Sequence, residues 1–142
     1  MNNTSTKKFS DLKLGQTAQF EISLTEDMIK KFSELSGDTN PLHVDEEYAK
    51  KTLFGGRIAH GLLGASFFSR LIGMHLPGKN ALYLSQNLHF RLPIRIGMKL
   101  IVSGTVKQLV ESIKTVTILT EITNRETGEC LIGGLAVVKL LK

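Results

Sequence analysis

From Leu82 onward, apolar residues fall at every second position. Leu82, Leu84, Leu88, Phe90 and Leu92 alternate with polar neighbours up to Pro93. Leu100, Val102, Val106 and Val110 follow, and then Val116, Ile118, Thr120 and Ile122 alternate with Thr115, Thr117, Glu121 and Thr123. A two-residue period marks strands with one covered face. After the turn Asn124-Arg125-Glu126-Thr127-Gly128, Cys130 to Leu140 supplies a last strand. An earlier one runs through Thr17, Ala18, Phe20 and Ile22, after a turn at Leu14-Gly15. The short connections between the later runs imply antiparallel pairing in a sheet of about five strands.

Between these strands the period changes. Met28, Ile29, Phe32 and Leu35 recur at helical spacing. Thr25, or Ser23 with Glu26 three residues on, can cap this helix, and Gly37 suits the position past its end. Asp45 can cap a short helical piece containing Glu46, Glu47, Tyr48 and Ala49, and Phe54-Gly55-Gly56-Arg57 reads as a loop. His60 to Leu76 is apolar nearly all round, through Leu62, Leu63, Phe67, Phe68, Leu71, Ile72 and Met74, so it should be surrounded by protein. Gly61, Gly64, Ala65, Ser66, Ser69 and Gly73 keep part of it slim, and Pro77-Gly78 ends it. An antiparallel sheet with one apolar face needs a cover, and this helix supplies it. The expectation is an α+β domain in which the sheet wraps one buried helix.

Composition narrows the function classes. The 142 residues suit one domain over 9–142, with residues 1–8 as a flexible terminus. A chain of this length needs neither disulfide nor metal to fold. Cys130 is the single cysteine, and no Cys/His spacing resembles a zinc site, so a reducing, cytoplasmic location is expected. The net charge of +5 is scattered and no tryptophan is present, which argues against a nucleic-acid stripe. It suits a phosphorylated small molecule or an acidic carrier protein. The polar first eight residues hold no secretory signal. The apolar run at 61–76 carries Arg70 and His75 and falls short of the ~20 residues that a membrane span needs.

The chemistry gathers in Gly37-Asp38-Thr39-Asn40-Pro41-Leu42-His43. A carboxylate and an imidazole stand five residues apart across an Asn-Pro break, where the residue before proline is pushed out of the helical region. Taken alone, Asp38 is ordinary turn chemistry, Asn40 holds the loop, and His43 is a partly buried histidine. Together, Asp38 and His43 can hold one water and pass protons near neutral pH. Gly61, at the start of the long helix, offers an unpaired backbone amide at the positive end of the helix dipole, able to polarise a carbonyl. His60 supports this corner more readily than it transfers protons. Ser69 shares a side with Gly61, since positions four apart drift by about 40°. Among the cations, nothing singles out Arg57, Arg91 or Arg95 for a phosphate.

Asp38-Thr39-Asn40-Pro41-Leu42-His43 followed by Ile58-Ala59-His60-Gly61, with the later Leu84-Ser85-Gln86-Asn87-Leu88-His89-Phe90 strand, resembles the MaoC-like hydratases. The nearest type is the (R)-specific enoyl-CoA hydratases and short 3-hydroxyacyl-thioester dehydratases. The resemblance spans about Phe9 to Val138. It implies a hot-dog fold with the 60–76 helix as sausage, paired as a homodimer. It implies Asp38 and His43 as the catalytic pair, the Gly61 backbone amide as donor to the thioester carbonyl, and Ser69 within reach of the site. Asn40 and His60 are the candidate substrate-binding residues. The implied substrate is an acyl-CoA or acyl-carrier-protein thioester, with coenzyme A or phosphopantetheine entering as part of it, and without metal or redox cofactor. The implied reaction is syn hydration of a trans-2-enoyl thioester, or its reversal. The rival readings are a non-catalytic acyl-thioester-binding protein and an acyl-CoA thioesterase.

Overall fold

The computed structural model describes residues 3–142. Its elements run β1 (Thr17–Ser23), α1 (Glu26–Ser36), α2 (Pro41–Val44), α3 (Glu46–Lys50), α4 (Gly61–Arg70), β2 (Ala81–Gln86), β3 (His89–Phe90), β4 (Lys99–Val110), β5 (Thr115–Asn124) and β6 (Cys130–Leu140). The strands form one antiparallel sheet in the order β1-β4-β5-β6-β2, with β3 also paired to β6. Its registers include Phe20↔Val102, Val102↔Ile122 and Ile118↔Ala136. The α+β expectation holds, and so does the alternation that led to it. Val102, Val116, Ile118, Ile122 and Val138 are fully buried on the inner face, against Phe68, Leu71 and Ile72 of the central helix.

Three details differ from the sequence reading. The run 82–92 is two short strands rather than one, which makes six among the described residues. Asn87 interrupts it: its side-chain carbonyl accepts from the Leu135 amide at 2.8 Å, and its own amide donates to the Leu135 carbonyl. The Asn87 backbone passes so close to β6 that a Cβ on Gly134 would lie 1.9 Å from the Asn87 carbonyl oxygen. Only glycine fits there.

The central helix is the second difference. It is α-helical to Arg70 and then widens into a π turn over Leu71–His75, closed by the Leu76 amide on the Leu71 carbonyl at 2.9 Å. Five residues of α-helix would turn Leu76 about 140° away from Leu71, at 3.6 residues per turn. The i→i+5 closure returns it to the same side, and Leu71 and Leu76 are both fully buried. Nor is this helix surrounded by protein. The sheet covers one side, while Leu62 is 60% exposed and Ser66, Ser69 and Arg70 lie open.

The third difference is the terminus. Met1 and Asn2 lie outside the described residues, but residues 5–8 are not loose. The Ser5 amide donates to Met74, the Lys79 amide donates to Ser5, and the Asn80 side chain donates to the Lys7 carbonyl at 3.0 Å. The segment is strapped across the end of the central helix because it satisfies backbone groups that the π turn and the following loop leave free.

His75, in the π turn, stacks on Phe20 with ring centroids 5.1 Å apart, and the Arg70 guanidinium lies 4.0 Å from the same phenyl centroid. Burial, and then the charges of Arg70 and Lys7, hold the His75 imidazole below the usual histidine range. The unfolded chain therefore takes up a proton first as pH falls. The stability contributed by His75 is full above the ordinary histidine pKa and is lost on acidification through the depressed folded value. We expect the melting temperature to fall between pH 7.5 and pH 5.5, and to fall less in His75→Gln. Equal falls in both proteins would remove His75 as a source of acid sensitivity.

Candidate active site

Local sequence rules place Asp38. Thr25 caps α1 by accepting from the Met28 amide at 3.2 Å, and the helix ends at Gly37 in the left-handed conformation, φ 80°. The turn that follows is bonded tightly. The Ser36 hydroxyl donates to the Phe32 carbonyl and accepts from the Asp38 amide, and an Asp38 carboxylate oxygen accepts from the Asn40 amide at 3.1 Å. The Asn40 side chain then caps α2 by accepting from the Leu42 amide at 3.0 Å, with Pro41 at the first helical position. The expected turn thus continues as one helical turn, with His43 on it. Asn40 is spent on this cap.

His43 is oriented from outside its own helix. Its Nδ1 lies 2.8 Å from the Ile58 carbonyl oxygen, which only accepts, so Nδ1 carries the proton and Nε2 presents a lone pair. A carboxylate oxygen of Asp38 and ring nitrogens of His43 and His60 all lie within 4.8 Å of one another. One water accommodates such a spacing with two hydrogen bonds of about 2.8 Å each. The same three side chains offer a donor set of a kind that divalent metals take. His43 Nδ1 and His60 Nε2 are already engaged with backbone carbonyls, which leaves one nitrogen of each ring and the carboxylate.

His43 also lines a cleft of about 460 Å³, with Phe54, Ile58, Ala59, Gly61, Leu62, Phe90, Arg91, Leu92, Pro93, Ile94 and Ile132. Its walls are mainly apolar, with an imidazole at one point and the start of α4 at another. Gly61 is the first residue of α4, so its amide has no partner within the helix. A Cβ on Gly61 would lie 2.7 Å from the Phe90 ring, which stands over this position. The Ala59 amide donates to the Ile94 carbonyl at 2.7 Å, and Ile58 bridges to Arg95, so the approach to α4 is tied to the loop that forms the opposite wall.

The predicted residues separate into two groups. His43 and Gly61 both line the cleft, and the Asp38 carboxylate, itself outside that lining, lies within 4.8 Å of a ring nitrogen of His43. Ser69 does not join them: eight residues on, roughly 12 Å along the axis, it is exposed and outside the cleft lining. His60 is 2% exposed and faces the protein instead of the cleft. Arg57 is no free cation, because it bonds to Glu46 at 3.0 Å and pairs with Glu26, bracing α1 against α3. Ser33, Ile58 and Phe90 were not foreseen. Their roles rest on contacts with residues 15 to 29 positions away, which no local pattern announces.

Comparison with known proteins follows the same lines. The family model described as "MaoC like domain" matches residues 10–129. The (R)-specific enoyl-CoA hydratase of Rhodospirillum rubrum is 45% identical over 130 residues, covering 92% of this chain and 89% of that protein. A solved structure, the (R)-hydratase from A. caviae involved in PHA biosynthesis, superposes with a TM-score of 0.87 at 40% identity, over 91% of this chain and 97% of the other. A mitochondrial 3-hydroxyacyl-[acyl-carrier-protein] dehydratase of Arabidopsis thaliana is 45% identical over 86 residues, 61% of this chain and 51% of that one.

Proposed function

The chain belongs to the MaoC-like domain family, and from that premise we propose that it hydrates trans-2-enoyl thioesters reversibly to (R)-3-hydroxyacyl thioesters. Its fold is the hot dog of the solved (R)-hydratase. The observation that carries the reading is the Asp38 carboxylate within 4.8 Å of a ring nitrogen of His43, whose Nδ1 is held by the Ile58 carbonyl, beside a cleft whose lining includes Gly61. A merely binding protein needs no such pair.

In the proposed reaction the thioester carbonyl accepts from the Gly61 amide, and the acyl chain lies against Leu62, Phe90 and Ile132. Water held between Asp38 and His43 attacks C3. As the C3–O bond forms, the pair takes one proton from the water, and the π electrons shift to give an enolate held by the Gly61 amide. A proton returns from the pair to C2 on the same face, which makes the addition syn. General acid–base help of this kind is worth about 10²–10⁴ in rate, and an oxyanion donor about 10²–10³. Every step uses groups of the chain and the substrate, and coenzyme A or phosphopantetheine enters as part of the thioester.

The open side of α4 supports a homodimer. Leu62, Phe90 and Leu92 stand 60%, 53% and 41% exposed beside the cleft, and β2 pairs only with β6 while presenting Leu82 and Leu84. A second copy would cover them. No helix among the described residues is long and apolar enough to cross a membrane. The cytoplasmic site of action that we propose rests on the single cysteine, Cys130, which has no partner for an internal disulfide.

The test is a rate comparison on enoyl-CoA and enoyl-carrier substrates of several chain lengths, with chiral analysis of the product. Loss of the enoyl absorbance with an (R)-3-hydroxyacyl product is expected. Release of free thiol without hydration would make the protein a thioesterase, and neither reaction on any substrate would make it a binding protein.

A further inference from the structure

Among the buried polar side chains outside this chemistry, two meet beside the catalytic pair. Ser33 and His60 are 4% and 2% exposed, and they meet across 27 positions of sequence with Ser33 Oγ 3.1 Å from His60 Nε2. The same Nε2 lies 3.1 Å from the Asp38 carbonyl oxygen. A carbonyl only accepts, so Nε2 carries a hydrogen shared between the two oxygens. Nδ1 has no partner within the protein. The His60 ring lies against the His43 ring with centroids 4.1 Å apart at 31°, and Phe32 approaches it at 4.8 Å and 59°. His60 therefore touches the backbone of one member of the catalytic pair and the ring of the other.

We infer that His60, held in orientation by Ser33 and Phe32, is the positioning residue that fixes the distance between the Asp38 carboxylate and His43 Nε2. It takes no proton from substrate. Its N–H anchors the loop that carries Asp38, while its ring sets how far His43 can tilt towards that carboxylate. His60 is absent from the cleft lining and its Nδ1 is buried, which accords with this role, since a substrate-binding histidine would aim a nitrogen into the cleft. Phenylalanine would fill the same space, but it would not supply the donor on the ring's other edge.

This inference rests on the hydratase reading, and the experiment keeps the two apart. Wild type, His60→Phe, His60→Gln and Ser33→Ala are compared on crotonyl-CoA, with circular dichroism and melting as checks on the fold. Phenylalanine keeps the ring and loses the donor, whereas glutamine keeps a donor and loses the ring. Displacing a catalytic group by an ångström costs up to about 10²-fold, so kcat should fall about 10²-fold in His60→Phe with KM within about twofold. His60→Gln should recover part of that loss, and Ser33→Ala should lower kcat about fivefold, the equivalent of one ordinary hydrogen bond. In an Asp38→Asn background, His60→Phe should cost almost nothing more, because it acts through the pair already broken.

Unchanged kcat, or a rise in KM at constant kcat, would overturn the positioning role, as would glutamine doing no better than phenylalanine. If His60→Phe fails to fold, Ser33→Ala decides alone by the same split of kcat from KM. A wild-type protein that hydrates no enoyl thioester defeats the hydratase reading itself, a different result from any of these.

Discussion

His43→Gln should lower kcat/KM for crotonyl-CoA hydration by about 10³-fold while leaving the fold in place. Glutamine has nearly the length of histidine, and its amide can still donate to the Ile58 carbonyl, so the corner of the cleft keeps its shape. It cannot accept a proton at the position of Nε2. A 10³-fold loss is about 4 kcal/mol of transition-state stabilisation, well above the ~1 kcal/mol that one strained hydrogen bond contributes to folding. In a domain of this size the latter is a melting shift of about 3 °C. Absorbance assays beside calorimetry separate the two. A variant turning over within threefold of wild type would remove His43 from the chemistry.

The second large loss should come from Asp38→Asn, by about 10²–10³ in kcat. The asparagine side-chain oxygen can accept from the Asn40 amide as the carboxylate does at 3.1 Å, so the turn survives and the charge alone is lost. Combining it with His43→Gln should cost little more than the worse single change, since residues acting as a unit lose their shared effect once. Losses that multiplied in the double variant would show two independent contributions and break the pair apart as a mechanism.

Much of this site can be read from the sequence because short-range rules built it. The cap at Thr25, the left-handed Gly37, the Asx turn at Asp38 and the Asn40-Pro41 helix start each depend on neighbours two or three residues away. The alternating strands reveal the sheet in the same way, because one covered face imposes a period of two. The unforeseen parts depend on distance in sequence. The π turn at Leu71–His75 follows from which side the sheet covers, and the burial of His60 follows from Ser33 and Asp38 closing over it. The apolar circumference of α4 suggested complete burial, because sequence does not distinguish a surface covered by the chain itself from one left for a second copy. Ser69 rests on angular drift and on the family resemblance, and eight residues of helix still carry it roughly 12 Å along the axis from Gly61.

The bond from the Ala59 amide to the Ile94 carbonyl bears on how such a protein can diversify. One end of it sets where α4 begins, and so where the thioester oxygen is held. The other end is part of the wall that meets the acyl chain. A change that reshapes the Phe90–Ile94 wall to admit a longer chain therefore also pulls on the amide that holds the carbonyl. Substrate range and turnover are mechanically linked here, so variants selected for new chain lengths should acquire compensating changes near Ala59 before they regain speed.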